Sequence, residues 1–257
     1  MNSNPVTPAV GRILVWDWPV RVFHWLLVLS FAGAYLTSEG ESWRYVHVTL
    51  GYTVAGLIAF RVLWGLIGSR HARFSAFVRG PKAALAYVKS LPSGEPVHTV
   101  GHNPAGALAI VGLLGLAALT TAFGWATYEE IGVAQFGESV TDWLGQIHAF
   151  FGNTMLALVG VHVLGVVVGS WVHRENLVRS MLSGFKRGPL TEAITRSWAV
   201  IGALLLAAVL GFWFLQWRDA PKPAVEAAAP MPSIPPATRL AASRTLTPEG
   251  PHAHPAG

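Results

Sequence analysis

Five long runs of apolar residues dominate the pattern of hydrophobic and polar positions along this chain. They cover residues 20–38, 46–68, 104–124, 145–172 and 198–217. Each run is long enough to cross the hydrocarbon layer of a bilayer, about 30 Å thick, as a helix of about 20 residues. The last of them, WAVIGALLLAAVLGFWFLQW, contains no ionisable side chain. The pattern therefore predicts five transmembrane helices.

The composition agrees with a membrane protein. Of the 257 residues, 52% are hydrophobic and only 12% are charged, whereas the charged fraction of an ordinary soluble domain is about a quarter. Between the second and third runs, the segment GPKAALAYVKSL has the 3.6-residue period of a short amphipathic helix. We expect this helix to lie on the membrane surface.

The distribution of lysine and arginine predicts the orientation, because cytoplasmic loops carry the excess of these residues. The two short loops on the other side hold only Arg44. The N-terminus is therefore predicted to be cytoplasmic and the C-terminus periplasmic, in the inner membrane of a bacterium. The basic residues are dispersed along the inner edge and do not show the pattern of a protein that binds a nucleic-acid groove, which argues against a nucleic-acid partner. Twelve basic residues fall on the predicted inner side: Arg12, Arg21, Arg70, Arg73, Arg79, Lys82, Lys89, Arg174, Arg179, Lys186, Arg187 and Arg196.

The chain divides into four predicted parts. Residues 1–19 form a short cytoplasmic lead, and residues 20–187 form the core of four helices. An inner linker and the fifth helix follow in residues 188–218. Residues 219–257 are rich in proline and alanine, with nine of the seventeen prolines. Such a composition buries too little apolar surface to fold, so we predict a disordered periplasmic tail.

Four histidines lie inside the apolar runs. His148 and His162 are fourteen residues apart in the fourth run, a separation that returns a helical side chain to nearly the same face, roughly 21 Å further along the axis. His24 and His47 lie near the starts of the first and second runs. An ionisable residue inside a membrane indicates a functional site, because its nitrogen needs a partner away from water. An interhelical hydrogen bond explains one such histidine equally well, but four at matching depths favour a set of ligands.

The direction of the chain sorts these histidines into two pairs. Runs two and four both begin on the outer side, so His47 and His148 are predicted to face each other there and are called the outer pair. Run one begins on the inner side, so His24 lies at the depth of His162, and these two are called the inner pair. Two imidazoles per site suit the two axial positions of a haem iron, which predicts two bis-histidine haems. The chain has no cysteine, which excludes covalent attachment of haem through C-x-x-C-H.

Neighbouring residues support these sites. Gly51 and Gly152 follow His47 and His148 by four residues, on the same helix face, and leave room for a flat macrocycle. Arg21 and Arg44 precede His24 and His47 by three residues, where a guanidinium can pair with haem propionates or simply extend to the interface. Arg61 lies fourteen residues after His47, level with the inner pair, and is predicted to contact a propionate or a quinone rather than anchor the interface.

Other histidines are assigned simpler positions. His102 precedes Asn103 and Pro104, which are typical of a helix N-cap and first turn, and it is predicted to be interfacial. His71 and His173 are predicted to be solvated at inner helix ends. His252 and His254 lie in the tail, where two histidines without a carboxylate are weak evidence of a metal site.

The histidine motifs are similar to those of a known family. Residues 15–187 resemble the prokaryotic di-haem cytochrome b561 proteins and the cytochrome b subunits of membrane-bound hydrogenases and formate dehydrogenases. The matching motifs are FHW, YVHVTLGY and IHAFFGNTMLALVGVH, followed by HRENLVRSM. The resemblance implies two b-type haems in a four-helix core, with the pairing given above. It also implies electron transfer between the quinone pool and a partner or, in one branch, from superoxide. This chain differs from the four-helix members of the family by its fifth helix and its tail.

We therefore predict an all-α membrane protein: a four-helix transmembrane bundle that holds two b-type haems, with a fifth transmembrane helix and a disordered C-terminal tail. Its predicted function is electron transfer between membrane quinone and a periplasmic redox protein such as a c-type cytochrome. The bundle is also predicted to be able to bind a quinone. One alternative is a superoxide oxidase that reduces quinone, which the acidic outer loop disfavours because it repels an anion. A haem-free transport or assembly subunit is an alternative of another class, and it would show no haem absorption.

Overall fold

The computed structural model describes residues 9–93 and 99–220. The predictions for residues 1–8 and for the tail, with His252 and His254, lie outside the described residues. The described residues form one compact unit. In chain order the described elements are β1 (Val10–Leu14), α1 (Trp18–Leu36), α2 (Arg44–Ile67), α3 (Phe74–Phe77), α4 (Pro81–Ser90), α5 (Pro104–Tyr128), α6 (Val133–Phe136), α7 (Ser139–Val172), α8 (Leu177–Ser183), β2 (Phe185–Pro189) and α9 (Ala199–Asp219), with short 3₁₀ turns at Glu41–Trp43, Leu91–Ser93 and Leu190–Glu192.

The five predicted transmembrane helices are confirmed as α1, α2, α5, α7 and α9, each long and apolar enough to cross a membrane. The predicted amphipathic helix of the loop is confirmed as α4. The fourth span is longer than predicted, because α7 has 34 residues and rises roughly 51 Å at 1.5 Å per residue. The protein is thus a multi-pass, mainly helical membrane protein.

Two helix starts follow from local sequence. Asp17 caps α1, where its side chain accepts a hydrogen bond from the Val20 amide, and Pro19 occupies the first turn. Asn103 caps α5 in the same way and Pro104 follows it, which confirms the predicted cap. Both arrangements satisfy amide groups that a helix leaves without intrahelical partners and use a proline where no amide is needed.

Helix packing leaves α7 apart from two of its neighbours. The most extensive contact is between α5 and α7, and α1 with α2, α1 with α9 and α2 with α5 are also closely packed. Within the described part of the chain, α7 makes no comparable backbone contact with α1 or α2. A buried apolar cluster fills the bundle, and it includes Phe23, Leu26, Leu57, Ile58 and Met155. The helix with two ligand candidates thus faces α1 and α2 through side chains.

A small antiparallel sheet was not predicted. Strands β1 and β2 pair with Arg12 opposite Arg187 and Ile13 opposite Lys186, so the lead is structured from residue 10 and the sheet crosses the predicted boundary at residue 187. Lys186 is buried and forms an ion pair with Glu175 at 3.0 Å. The sheet lies at the end of the bundle where α1 begins and α7 ends. We call this the inner end and the opposite end the outer end. The compartment that each end faces remains a prediction.

The fifth helix packs against the first two. Gly202 of α9 lies against Trp18 at the start of α1. Further along α9, the Trp213 indole donates to the Thr53 hydroxyl at 2.9 Å, and the Tyr45 hydroxyl hydrogen-bonds to Gln216 at 2.7 Å. Small residues that allow close helix approach and polar groups that bond between helices are the usual determinants of association in membranes.

We expect Gly202→Val to destabilise the protein by loosening α9 from α1. A Cβ at position 202 would lie 2.9 Å from Trp18 Cβ and 3.1 Å from the Trp18 carbonyl carbon, so the helices must separate, at a cost of about 1–3 kcal/mol. Thermal unfolding of the purified protein in detergent should show a lower midpoint. Gly211→Val is the matched control, because a Cβ there meets nothing within 4 Å. Equal midpoints for both variants would contradict the packing.

Candidate haem sites

The outer pair brings α2 and α7 together. The imidazole rings of His47 and His148 have centroids 5.9 Å apart and planes at 87°. Two imidazoles that share one metal ion through bonds of about 2 Å place their ring centroids roughly 6 Å apart. The spacing of these two rings therefore fits two axial ligands of one iron.

Both rings of the outer pair are oriented by the same kind of hydrogen bond. His47 Nδ1 lies 2.8 Å from the Ala34 carbonyl oxygen of α1, and His148 Nδ1 lies 2.8 Å from the Thr120 carbonyl oxygen of α5. A carbonyl only accepts, so each Nδ1 is the protonated nitrogen and donates. Each Nε2 then keeps its lone pair. Metal-binding histidines are oriented in this way, because the hydrogen bond at one nitrogen fixes the tautomer and raises the basicity of the other.

Gly124 on α5 makes the position of His148 possible. A Cβ at residue 124 would lie 2.8 Å from both Nδ1 and Cε1 of His148, so any larger residue would push the ring away from Thr120. This residue was not identified from the sequence, because it belongs to another helix than the histidine. Of the two predicted glycines, Gly51 faces open space, and a Cβ at Gly152 would be 3.8 Å from Thr120 Cγ2. Both leave room beside the pair, and their role stays a prediction.

The inner pair brings α1 and α7 into the same region. His24 and His162 are both half-buried and are close enough to interact electrostatically. His24 Nδ1 is buried and has no hydrogen-bond partner among the described residues. The ring of His24 lies edge-on to Trp25, with centroids 5.1 Å apart. A buried imidazole nitrogen without a partner is costly in a protein interior, so His24 differs from the outer histidines, whose Nδ1 atoms are hydrogen-bonded to carbonyls.

The three predicted arginines differ in their surroundings. Arg61 is buried, donates from Nη2 to the Ala72 carbonyl at 3.0 Å and stacks over the Phe74 ring. Its Nη1 has no partner in the described part of the chain. Arg21 instead donates to the carbonyls of Met181 and Leu182 at the end of α8. Arg44 is exposed and pairs with Glu41 at 3.8 Å. Only Arg61 thus combines burial with a donor left for a further acceptor.

Three other histidines make contacts that were not predicted. His71 is buried, and its Nε2 lies 2.8 Å from the Glu192 carbonyl oxygen, so the prediction of a solvated side chain was wrong for His71. His173 is half-buried and hydrogen-bonds to the Tyr87 hydroxyl at 2.9 Å. The His102 ring packs between Trp16 and Phe77, with centroids 4.6 and 4.5 Å away, and its interfacial position stays a prediction. No sequence pattern indicates these contacts, because the partner residues Tyr87, Glu192, Trp16 and Phe77 lie in other segments of the chain.

The donor set suits a porphyrin better than a bare metal ion. Among the described residues, no group of three or more histidine, cysteine, aspartate or glutamate side chains could hold a metal. A pair of imidazoles provides two axial ligands, and the porphyrin itself supplies the remaining four nitrogens. The residues present in both pairs therefore fit haem.

Comparison with known proteins supports this interpretation. The chain is 28% identical over 213 residues to a protein named probable Ni/Fe-hydrogenase B-type cytochrome subunit from Azotobacter vinelandii, covering 68% of this chain and 88% of that protein. Proteins with the same name from Bradyrhizobium diazoefficiens and Rhodobacter capsulatus are 25% and 26% identical, each over 68% of this chain and over 87% and 81% of their own lengths. No solved structure matches.

A family model described as prokaryotic cytochrome b561 matches residues 15–184. That range begins before α1 and ends after α8, so it includes all four histidines of the two pairs and leaves out α9. A b-type cytochrome binds haem b and transfers electrons. The chain belongs to the prokaryotic cytochrome b561 family and is a membrane b-type cytochrome.

Proposed function

We propose that this protein is a di-haem cytochrome that transfers electrons across the membrane between the quinone pool and a redox partner on the periplasmic side. His47 and His148 would hold the outer haem, and His24 and His162 the inner one. The observation that carries the proposal is the outer pair, with rings 5.9 Å apart and both Nδ1 atoms hydrogen-bonded to helix carbonyls. The fourteen-residue spacing on α7 supports a second site roughly 21 Å away.

The proposed mechanism assigns separate tasks to the cofactor and the protein. Haem, when bound, supplies an iron that gains and loses one electron. Two histidines per site would hold each haem through imidazole nitrogens, which would leave electron transfer as its chemistry and not oxygen binding. The Ala34 and Thr120 carbonyls hold the outer imidazoles in one tautomer and increase their basicity, which favours the ferric state. The surrounding apolar helices keep water away from both sites.

The orientation and partners also belong to this proposal. The excess of lysine and arginine supports a cytoplasmic inner end, which places the outer pair near the periplasm. The similarity to hydrogenase cytochrome subunits supports a redox enzyme as partner, with a c-type cytochrome as the alternative. Glu129, Glu130, Glu138 and Asp142 are exposed at the outer end, where their charge would repel superoxide, and this favours the quinone-linked role.

Each pair should hold one haem. We expect His47→Ala and His148→Ala to lower the haem content of the purified protein from two per chain to one, and His24→Ala and His162→Ala to remove the other haem. The haem content and the reduced-minus-oxidised spectrum measure this outcome. His71→Ala is the control and should keep both haems, because His71 bonds to a backbone carbonyl. Two haems in all four ligand variants would refute the ligand assignment.

Gly124→Val should disturb the outer site alone. The added side chain would displace the His148 ring from the Thr120 carbonyl, since even a Cβ lies 2.8 Å from the ring. We expect loss of the outer haem or a change in its electron paramagnetic resonance signal, with the inner haem unchanged. Gly115→Val on the same helix is the matched control, because a Cβ there meets nothing within 4 Å. An unchanged outer haem in Gly124→Val would contradict the orienting role of Gly124.

A further inference from the structure

Several buried polar atoms at the inner end have no hydrogen-bond partner among the described residues. Three of them are nitrogen atoms of neighbouring side chains, namely Arg61 Nη1, Trp16 Nε1 and His102 Nδ1. Arg61 and Trp16 are 3% and 5% exposed. A buried polar atom without a partner costs about 1–3 kcal/mol, and native structures contain few of them. Three in one region indicate a common partner other than the described residues.

The three side chains belong to one cluster. The rings of Trp16 and His102 have centroids 4.6 Å apart. Arg61 is held in place by the Ala72 carbonyl and the Phe74 ring, and Phe74 contacts Phe77, whose ring packs on His102. His162 of the inner pair is close enough to contribute to the lowered pKa of His102. The cluster is therefore near the proposed inner site.

The chemistry of the donors defines the partner. Arginine and the tryptophan indole can only donate. Burial and the neighbouring cations, including Arg61 and Lys186, lower the pKa of His102 to about 3, so its ring is neutral and Nδ1 donates in one of its two tautomers. A partner shared by Arg61 and Trp16 must be an acceptor, and the buried Arg61 charge favours an anion. Asp17 lies nearby, but its two oxygens accept hydrogen bonds from the Val20 amide and the Trp64 indole.

We propose that Arg61, Trp16 and His102 bind the propionate carboxylates of the inner haem. The inference rests on the proposed function and extends it, because it adds Trp16 and His102 as binding residues and selects propionate over quinone for Arg61. Two carboxylates offer enough lone pairs for all three donors, and Arg61 provides the charge that a neutral quinone carbonyl does not need. By neutralising the carboxylates, the three donors would favour the ferrous state of the inner haem.

Spectroelectrochemical titration of the full-length protein tests the proposal. We expect Arg61→Gln to shift the reduction equilibrium of the inner haem about tenfold toward the ferric state, which corresponds to 59 mV for one electron. Trp16→Phe and His102→Phe should shift it in the same direction by about threefold, because each removes one neutral hydrogen bond. Arg61→Lys should restore most of the shift. The outer haem should keep its potential, and the haem lost in His24→Ala identifies the inner one.

His71→Gln serves as the control, since His71 lies in the same inner layer but is bonded to Glu192. An unchanged inner potential in Arg61→Gln and Trp16→Phe would overturn the proposal. An altered KM for quinone with unchanged haem potentials would overturn it in favour of a quinone contact.

A second measurement covers the case in which the variants lose haem. Redox-difference infrared spectra of the wild-type protein are recorded with ¹³C-labelled propionates. Bands of strongly hydrogen-bonded carboxylates support the proposal, and free carboxylate bands refute it. A wild-type protein without two haems would instead refute the proposed function.

Discussion

The outer site depends on hydrogen bonds from imidazole nitrogens to the carbonyls of neighbouring helices. His148 reaches the Thr120 carbonyl only because α5 and α7 are closely packed and Gly124 has no side chain. On the other side, His47 bonds to the Ala34 carbonyl of α1. The neighbouring Gly33 lets Leu50 of α2 approach α1, since a Cβ at residue 33 would lie 2.7 Å from Leu50 Cδ1. Helix packing through small residues thus sets the geometry of both histidines, and backbone carbonyls are sufficient to orient their rings.

The inner end is organised differently. Here the polar groups come from the sheet, the loops and the helix starts, and they form a layer around Asp17. This aspartate is fully buried, caps α1 and accepts a hydrogen bond from Trp64 of α2. It thereby ties the helix of His24 to the helix of Arg61. Among the described residues no carbonyl hydrogen bond to the inner histidines is found like those of the outer pair, so the surroundings of the proposed inner haem would be determined more by groups that interact with the haem itself.

The sequence was sufficient for features that depend on one element at a time. The five spans, the cap at Asn103 and the amphipathic helix α4 all follow from local pattern, and so does the common face of His148 and His162. Features made by two distant segments were missed. Gly124 acts on a histidine of another helix, and β1 pairs with a strand about 175 residues later, for which a five-residue segment gives no periodic signal. The contacts of His102 were missed for the same reason, because its partners, Trp16 and Phe77, come from two other segments.

The position of α9 explains how a fifth helix can be added without altering the haem core. It packs mainly on α1 and touches α2 through Trp213 and Thr53, on helices that already pack against each other. The family match ends before it, at residue 184. Helix α7 keeps exposed apolar residues such as Val163, Leu164 and Trp171, so α9 does not cover the helix that carries one ligand of each pair. Since α1, α2 and α7 supply every proposed ligand, α9 can stabilise α1 and α2 while access to α7 from the lipid stays open.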